Sequence, residues 1–164
     1  MSRTTGTTAT GISGFGAMTN SIYPGPPGPG YTVSGKCSIM FPVITDATQT
    51  YRFEFGLTNI TAATDTSSAG AWVEFGGTSG ALSIKNGAGT SGTITNPVTI
   101  AANTWYEIEF VCAPTGTVTF WVNGTQLGSV ALTTGSVNMN LRVLKSVGTT
   151  GSVFLLDYMA LRIA

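Results

Sequence analysis

Hydrophobic and polar residues alternate along most of this chain with a period of two. The clearest case runs from Trp105 to Gly128. Tyr106, Ile108, Phe110 and Cys112 alternate with Trp105, Glu107, Glu109 and Val111. After a break at Pro114 and Gly116, Val118, Phe120 and Val122 alternate with Thr117, Thr119, Trp121 and Asn123. Successive strand side chains point to opposite faces, so each run has one apolar face and one mixed face. Asn123-Gly124 supplies the positive-φ pair that a two-residue hairpin needs. The stretch predicts a three-strand meander with one side in a core.

The pattern continues on either side. Lys36 to Ile44 reads as a strand with Cys37, Ile39 and Phe41 on one face, its end confined to an edge or bulge by Pro42. Tyr51, Phe53, Phe55 and Leu57 alternate with Arg52, Glu54, Gly56 and Thr58; Ala71, Val73 and Phe75 alternate with Trp72, Glu74 and Gly76. Leu82 and Ile84 mark a short strand, and Thr93 to Ile100 another that Pro97 interrupts. Val137, Met139, Leu141 and Val143 face away from Asn138, Asn140 and Arg142. The last strand, Ser152 to Ile163, is apolar on both faces and predicts a central or covered position. Strands at short spacing with Gly, Asn and Pro turns, and no amphipathic helix, predict an all-β protein. Its expected form is a two-sheet antiparallel jelly-roll sandwich over residues 35–164.

Residues 1–34 depart from this rhythm. Met1 to Gly16 is rich in Gly and Thr, and Pro24 to Gly30 (P-G-P-P-G-P-G) reads as a stiff extended connector. The segment before it is either a first strand paired within the sandwich or an arm that orders on a partner. The arm is the preferred expectation, with Ile12, Phe15 and Ile22 as apolar anchors.

Composition narrows the chemistry. The length of 164 residues fits one domain. Only 9% of residues are charged, against about 25% in an average globular protein, and seven basic residues balance seven acidic ones. Neither a nucleic acid nor a membrane is therefore expected as a partner. The absence of histidine removes the commonest general base and metal ligand together. Cys37 and Cys112 fall in apolar runs and read as buried free thiols. The N-terminal stretch lacks the apolar core of a signal peptide, which points to folding in a reducing cytoplasm.

Three segments carry a resemblance. N-T-W-Y-E-I-E-F, then G-T-V-T-F-W-V-N-G-T, then V-F-L-L-D-Y-M-A-L-R resemble the concanavalin A-like lectin/glucanase sandwich in its laminin-G-like form. That resemblance implies a concanavalin A-like jelly roll; the superfamily includes lectins, hydrolases and purely structural domains, so function has to be argued from the site. Gly/Thr/Ser richness and an extended N-terminal arm also resemble, in style, small tailed-phage virion proteins.

Candidate sites follow from the mixed faces. Glu107 and Glu109 are a carboxylate pair of the kind glycoside hydrolysis uses. The glucanase pattern E-x-D-x-x-E is not met, however, because Val111 and Cys112 stand where further acids should follow. Trp72 and Trp121 are candidate platforms for a sugar ring, whereas Trp105, at a strand start, reads as structural. Arg52, Glu107 and Asn140 are the expected polar glycan contacts, with Glu54, Asn138 and Arg142 as further candidates for the same role. Asp65 is the best-placed loop acid, but no closely spaced acidic loop exists, so no metal or cofactor is expected.

The leading expectation is a non-enzymatic bacteriophage virion protein, a capsid decoration or fibre-type component. It would dock on capsid or tail subunits, form a homo-oligomer of trimeric kind and reside in the virion. The alternative is a lectin-like carbohydrate-binding module for a host-surface glycan, followed by a glycoside hydrolase.

Overall fold

The structure is a computed structural model that describes residues 1–4, 11–16, 30–44, 50–59, 67–76, 79–148 and 153–164. All regular elements among the described residues are strands, arranged in two antiparallel sheets that form a sandwich. One sheet has seven strands, in the spatial order β1 (Ser2–Thr4), β12 (Val153–Ile163), β3 (Val33–Met40), β8 (Trp105–Cys112), β9 (Thr117–Val122), β10 (Thr125–Ala131) and β7 (Thr93–Ile94). The other has five, in the order β2 (Gly11–Gly16), β11 (Asn138–Val147), β4 (Thr50–Thr58), β5 (Gly70–Phe75) and β6 (Ser83–Asn86).

The alternating faces meet as their period requires. Cys37, Ile39, Ile108, Phe110, Cys112, Val118 and Phe120 of the seven-stranded sheet are fully buried, and so are Phe53, Phe55, Val73 and Met139 of the five-stranded one. Aromatic rings lock the sheets together. Phe41, just past β3, sits edge-on to Phe53 at 5.2 Å and to Phe75 at 5.1 Å. Phe110 packs on Phe55 at 5.6 Å and on Phe120 at 6.1 Å. Burying each such ring contributes about 1.5–3 kcal/mol, with a further increment for edge-to-face geometry. Both cysteines are free and buried in this layer, and burial pushes the Cys112 thiol up to about 11. The hairpin at Asn123-Gly124 also forms as its chemistry dictates, with φ of 50° and 77° and Val122 paired to Thr125.

Three expectations need correction. Part of the segment read as an arm pairs inside the chain. Ser2–Thr4 lies against Val153 to Leu155, and Gly11–Gly16 runs along Asn140 to Lys145. These residues satisfy backbone donors and acceptors at one edge of each sheet, which the weak Gly/Thr pattern does not reveal. Ile12 and Phe15 therefore sit on β2, opposite Leu144 and Leu141, while Ile22 lies outside the described residues. The Thr93 to Ile100 run reduces to a two-residue strand and a bridge from Ala81 to Thr99, because Pro97 has no N–H to donate to a ladder. Finally, β12 is not covered along its length: a bulge falls between Leu156 and Tyr158, and Asp157, Tyr158, Ala160 and Arg162 are exposed.

Deleting residues 2–30 is accordingly expected to lower the thermal midpoint by about 4 °C or more and to promote self-association through the freed edge of β11. Calorimetry and size-exclusion chromatography check this. An unchanged midpoint with a monomeric profile would show that β1 and β2 contribute nothing.

Candidate functional site on the five-stranded sheet

The outer face of the five-stranded sheet is built from residues of the opposite parity to the core. Register places Gly14, Arg142, Glu54, Glu74 and Ser83 in one row across five strands. The next row holds Gly16, Asn140, Gly56, Trp72 and Lys85. On the other side of the first row, Arg52 lies opposite Leu144. A strand face exposed to water is normally solvated, yet much of this one is buried. Glu54 (side chain 3% exposed) and Arg142 are almost fully enclosed.

Burial of charge costs several kcal/mol unless it is paired. Here the pairing is a three-residue ladder. Arg142 Nε donates to Glu54 Oε2 at 2.5 Å, and Arg52 Nε lies 2.7 Å from Glu54 Oε1. The second contact is an ion pair without hydrogen-bond alignment, so the buried Arg52 Nε lacks a hydrogen-bond acceptor. The Arg52 side chain as a whole is 40% exposed. Beside the ladder, Trp72 Nε1 donates to Glu74 Oε2 at 2.8 Å. Asn140 Nδ2 donates to Thr58 Oγ1 at 2.9 Å, and Lys85 Nζ donates to Ser91 Oγ at 2.8 Å. Gly56 lets Trp72 approach the neighbouring strand: a Cβ there would stand 2.7 Å from Trp72 Cα and 3.0 Å from its Cβ.

Of the residues singled out for glycan contact, Arg52, Trp72 and Asn140 come together on this face. Trp121 and Glu107 do not; they sit on the outer face of the seven-stranded sheet, across the core. Trp72 is also not the open platform expected. It is 5% exposed, with its indole N–H committed to Glu74, so it can offer no ring face to solvent. Trp105, read as structural, is 47% exposed. Sequence reasoning named Glu54 and Arg142 among the polar glycan contacts but missed their pairing and burial, because parity says which face a residue takes and not whether that face is covered. Among the described residues no group of three or more metal-ligating side chains occurs, and Asp65 lies outside them.

On the opposite face Glu107 accepts hydrogen bonds from Tyr158 OH at 2.6 Å and pairs with Lys36 Nζ at 2.8 Å. The Lys36 contact, and then the Tyr158 hydroxyl, hold the Glu107 carboxyl below its usual range. Its hydrogen bond to Glu107 raises Lys36, and the same carboxylate pushes Tyr158 from 10.0 up to about 12. The Glu107 contribution is present above the ordinary carboxylate range and lost as pH falls through its lowered value. Those of Lys36 and Tyr158 are lost as pH rises beyond about 10.

The profile of the family described as SO2946-like, C-terminal domain, matches residues 1–157. The chain belongs to that family. No curated protein matches the chain. Among solved structures, this SO2946-like domain is similar to the alginate lyase from Corynebacterium sp., with 17% identity over 82% of the chain and a TM-score of 0.57. The domain spans only 59% of that lyase. It is similar to alginate lyase A1-II′ in complex with its product, with 15% identity, 99% of this chain, 78% of the other and a TM-score of 0.61. It is also similar to the metal-free carbohydrate recognition domain of Emp46p, with 6% identity, 96% and 80% coverage and a TM-score of 0.65. Such identities show the fold, a concanavalin A-like jelly roll, as the resemblance implied. They also correct the expectation that the chain is not an enzyme: polysaccharide lyases stand among its structural neighbours, beside lectin domains.

Glu54→Ala should cost about 3–5 kcal/mol in urea unfolding, because a buried Arg142 loses an ion-pair partner. Glu109→Ala, at an exposed pair with Lys36, should cost less than about 1 kcal/mol; equal costs would refute the burial argument. In an ultraviolet phenolate titration, the step lost in Tyr158→Phe should have its midpoint at about 12, and Glu107→Gln should return it toward 10.0. A Tyr158 step already at 10.0 in the unaltered protein would show that the Tyr158–Glu107 bond does not form.

Proposed function

We propose that the chain binds an acidic polysaccharide on the outer face of the five-stranded sheet. The observation that carries this reading is Arg52. Glu54 is already held by Arg142, so its charge is shared between two guanidinium groups, and the outer one belongs to a side chain that is 40% exposed. Arg52, Arg142 and Lys85 outnumber Glu54 and Glu74 on this face, which favours an anion. A planar guanidinium suits a carboxylate through paired N–H donors, and a uronate ring presents one carboxylate per residue. The buried pair behind Arg52 keeps it preorganised, which lowers the ordering cost of binding. Glu74 lies in the adjoining row and Asn140 in the row beyond it, placed to meet sugar hydroxyls. The fold is shared with proteins named as alginate lyases and as a carbohydrate recognition domain, and a carbohydrate ligand agrees with both.

Capsid or tail subunits, a trimeric assembly and a virion location belong to the sequence expectation. Neither the sandwich nor its neighbours lend them support, and the described part of the supposed docking arm is occupied within the sheets.

Calorimetric titration with oligoalginate should show saturable binding that weakens with added salt. Arg52→Ala should lower affinity about tenfold or more while leaving the thermal midpoint close to that of the unaltered protein. Undiminished affinity in Arg52→Ala, or no heat with oligoalginate or oligogalacturonate, would overturn the reading.

A further inference from the structure

The outer face of the seven-stranded sheet has a different chemistry. Its rows across β12, β3 and β8 are Leu155–Met40–Trp105, then Tyr158–Ser38–Glu107, then Ala160–Lys36–Glu109, the last continued on β9 by Trp121. Three aromatic side chains thus share one surface: Trp105 and Tyr158 are exposed and Trp121 is half-buried. Trp121 pairs with Glu109, four residues along β8 from Trp105. At about 3.4 Å per residue the two indoles start about 14 Å apart along the strand, one strand spacing of about 4.8 Å across. Glu107 lies between them and Glu109 beside Trp121, on the same face. A depression of about 170 Å³ opens alongside, lined by Ser34, Lys36, Glu109, Ala160 and Arg162 among others.

We propose that this surface is a second ligand site, for a neutral glycan chain lying along β8 from Trp105 to Trp121. Each indole offers an apolar face to the C–H side of a pyranose ring, and the interval between them is spanned by a short oligosaccharide. Glu107 is already engaged by Tyr158 and Lys36 and forms the floor of the site. Glu109, 3.8 Å from Lys36 through Oε2 and partly exposed, accepts sugar hydroxyls. The depression receives a ring substituent beside the main chain. Charge decides the ligand class: Lys36 and Arg162 offset Glu107 and Glu109 around the depression, so a polyanion meets as much repulsion as attraction. This site goes beyond the acidic-polysaccharide reading; it uses other residues, the other sheet and an uncharged ligand, and either site can fail with the other intact.

The full chain is titrated with cellohexaose, laminarihexaose and mannohexaose, followed by tryptophan fluorescence and calorimetry. At least one should bind with a change in fluorescence. Trp105→Ala and Trp121→Ala should each lower that affinity about tenfold or more, and Arg52→Ala should leave it unchanged. Glu109→Gln, which keeps the backbone and the side-chain shape, should weaken binding with the thermal midpoint retained, so a folding defect in a tryptophan variant does not blunt the test. Silence with all three neutral hexasaccharides would overturn the proposal. So would affinity that survives both Trp121→Ala and Glu109→Gln, or that is lost with Arg52→Ala.

Discussion

The layer of aromatic rings between the two sheets is the constraint on which the rest depends. Phe41, Phe110, Phe120 and Phe154 from the seven-stranded side meet Phe53, Phe55 and Phe75 from the five-stranded side, all of them buried. A strand side chain has only two directions, and this layer claims one of them. A slip of one residue in β4, β5 or β8 would put a phenylalanine in water and a charged residue in the core. Fixing the inward set therefore fixes the outward set, and the outward sets are where polar chemistry can gather.

The two outer faces answer different physical demands. On the five-stranded sheet the charges of Glu54 and Arg142 are buried, where pairing is obligatory and geometry rigid. That rigidity holds Arg52 at the rim, with its side chain 40% exposed. On the seven-stranded sheet the ion pairs of Lys36 with Glu107 and Glu109 are half-exposed, so water and salt share the work and each pair is weak. Aromatic area dominates there instead. A single sandwich can in this way present a cationic surface and a neutral aromatic one on opposite sides without either disturbing the core.

Much of the fold was legible because its signals are local. Alternation along Tyr51 to Thr58 or Tyr106 to Cys112 needs no partner strand to be recognised, and Asn123-Gly124 encodes its own turn. Partnership is not local. Glu54 and Arg142 are 88 residues apart in the chain, and nothing in either neighbourhood announces the other. Trp72 and Trp105 show the same limit from opposite sides. Both occupy outward positions on strands; one is closed over and bonded to Glu74, the other stands in solvent. The Gly/Thr-rich residues of β1 and β2 carried too little apolar pattern to be read as strands, since their place comes from the free edges they complete.

Backbone amide shifts, followed by nuclear magnetic resonance while oligoalginate is added, locate the ligand most directly. The account predicts that the largest changes fall on Arg52, Glu54, Glu74, Asn140 and Arg142, with the amides of β8 and β9 little moved. Changes concentrated on Glu107, Glu109 and Trp121 instead, or scattered without regard to face, would contradict it.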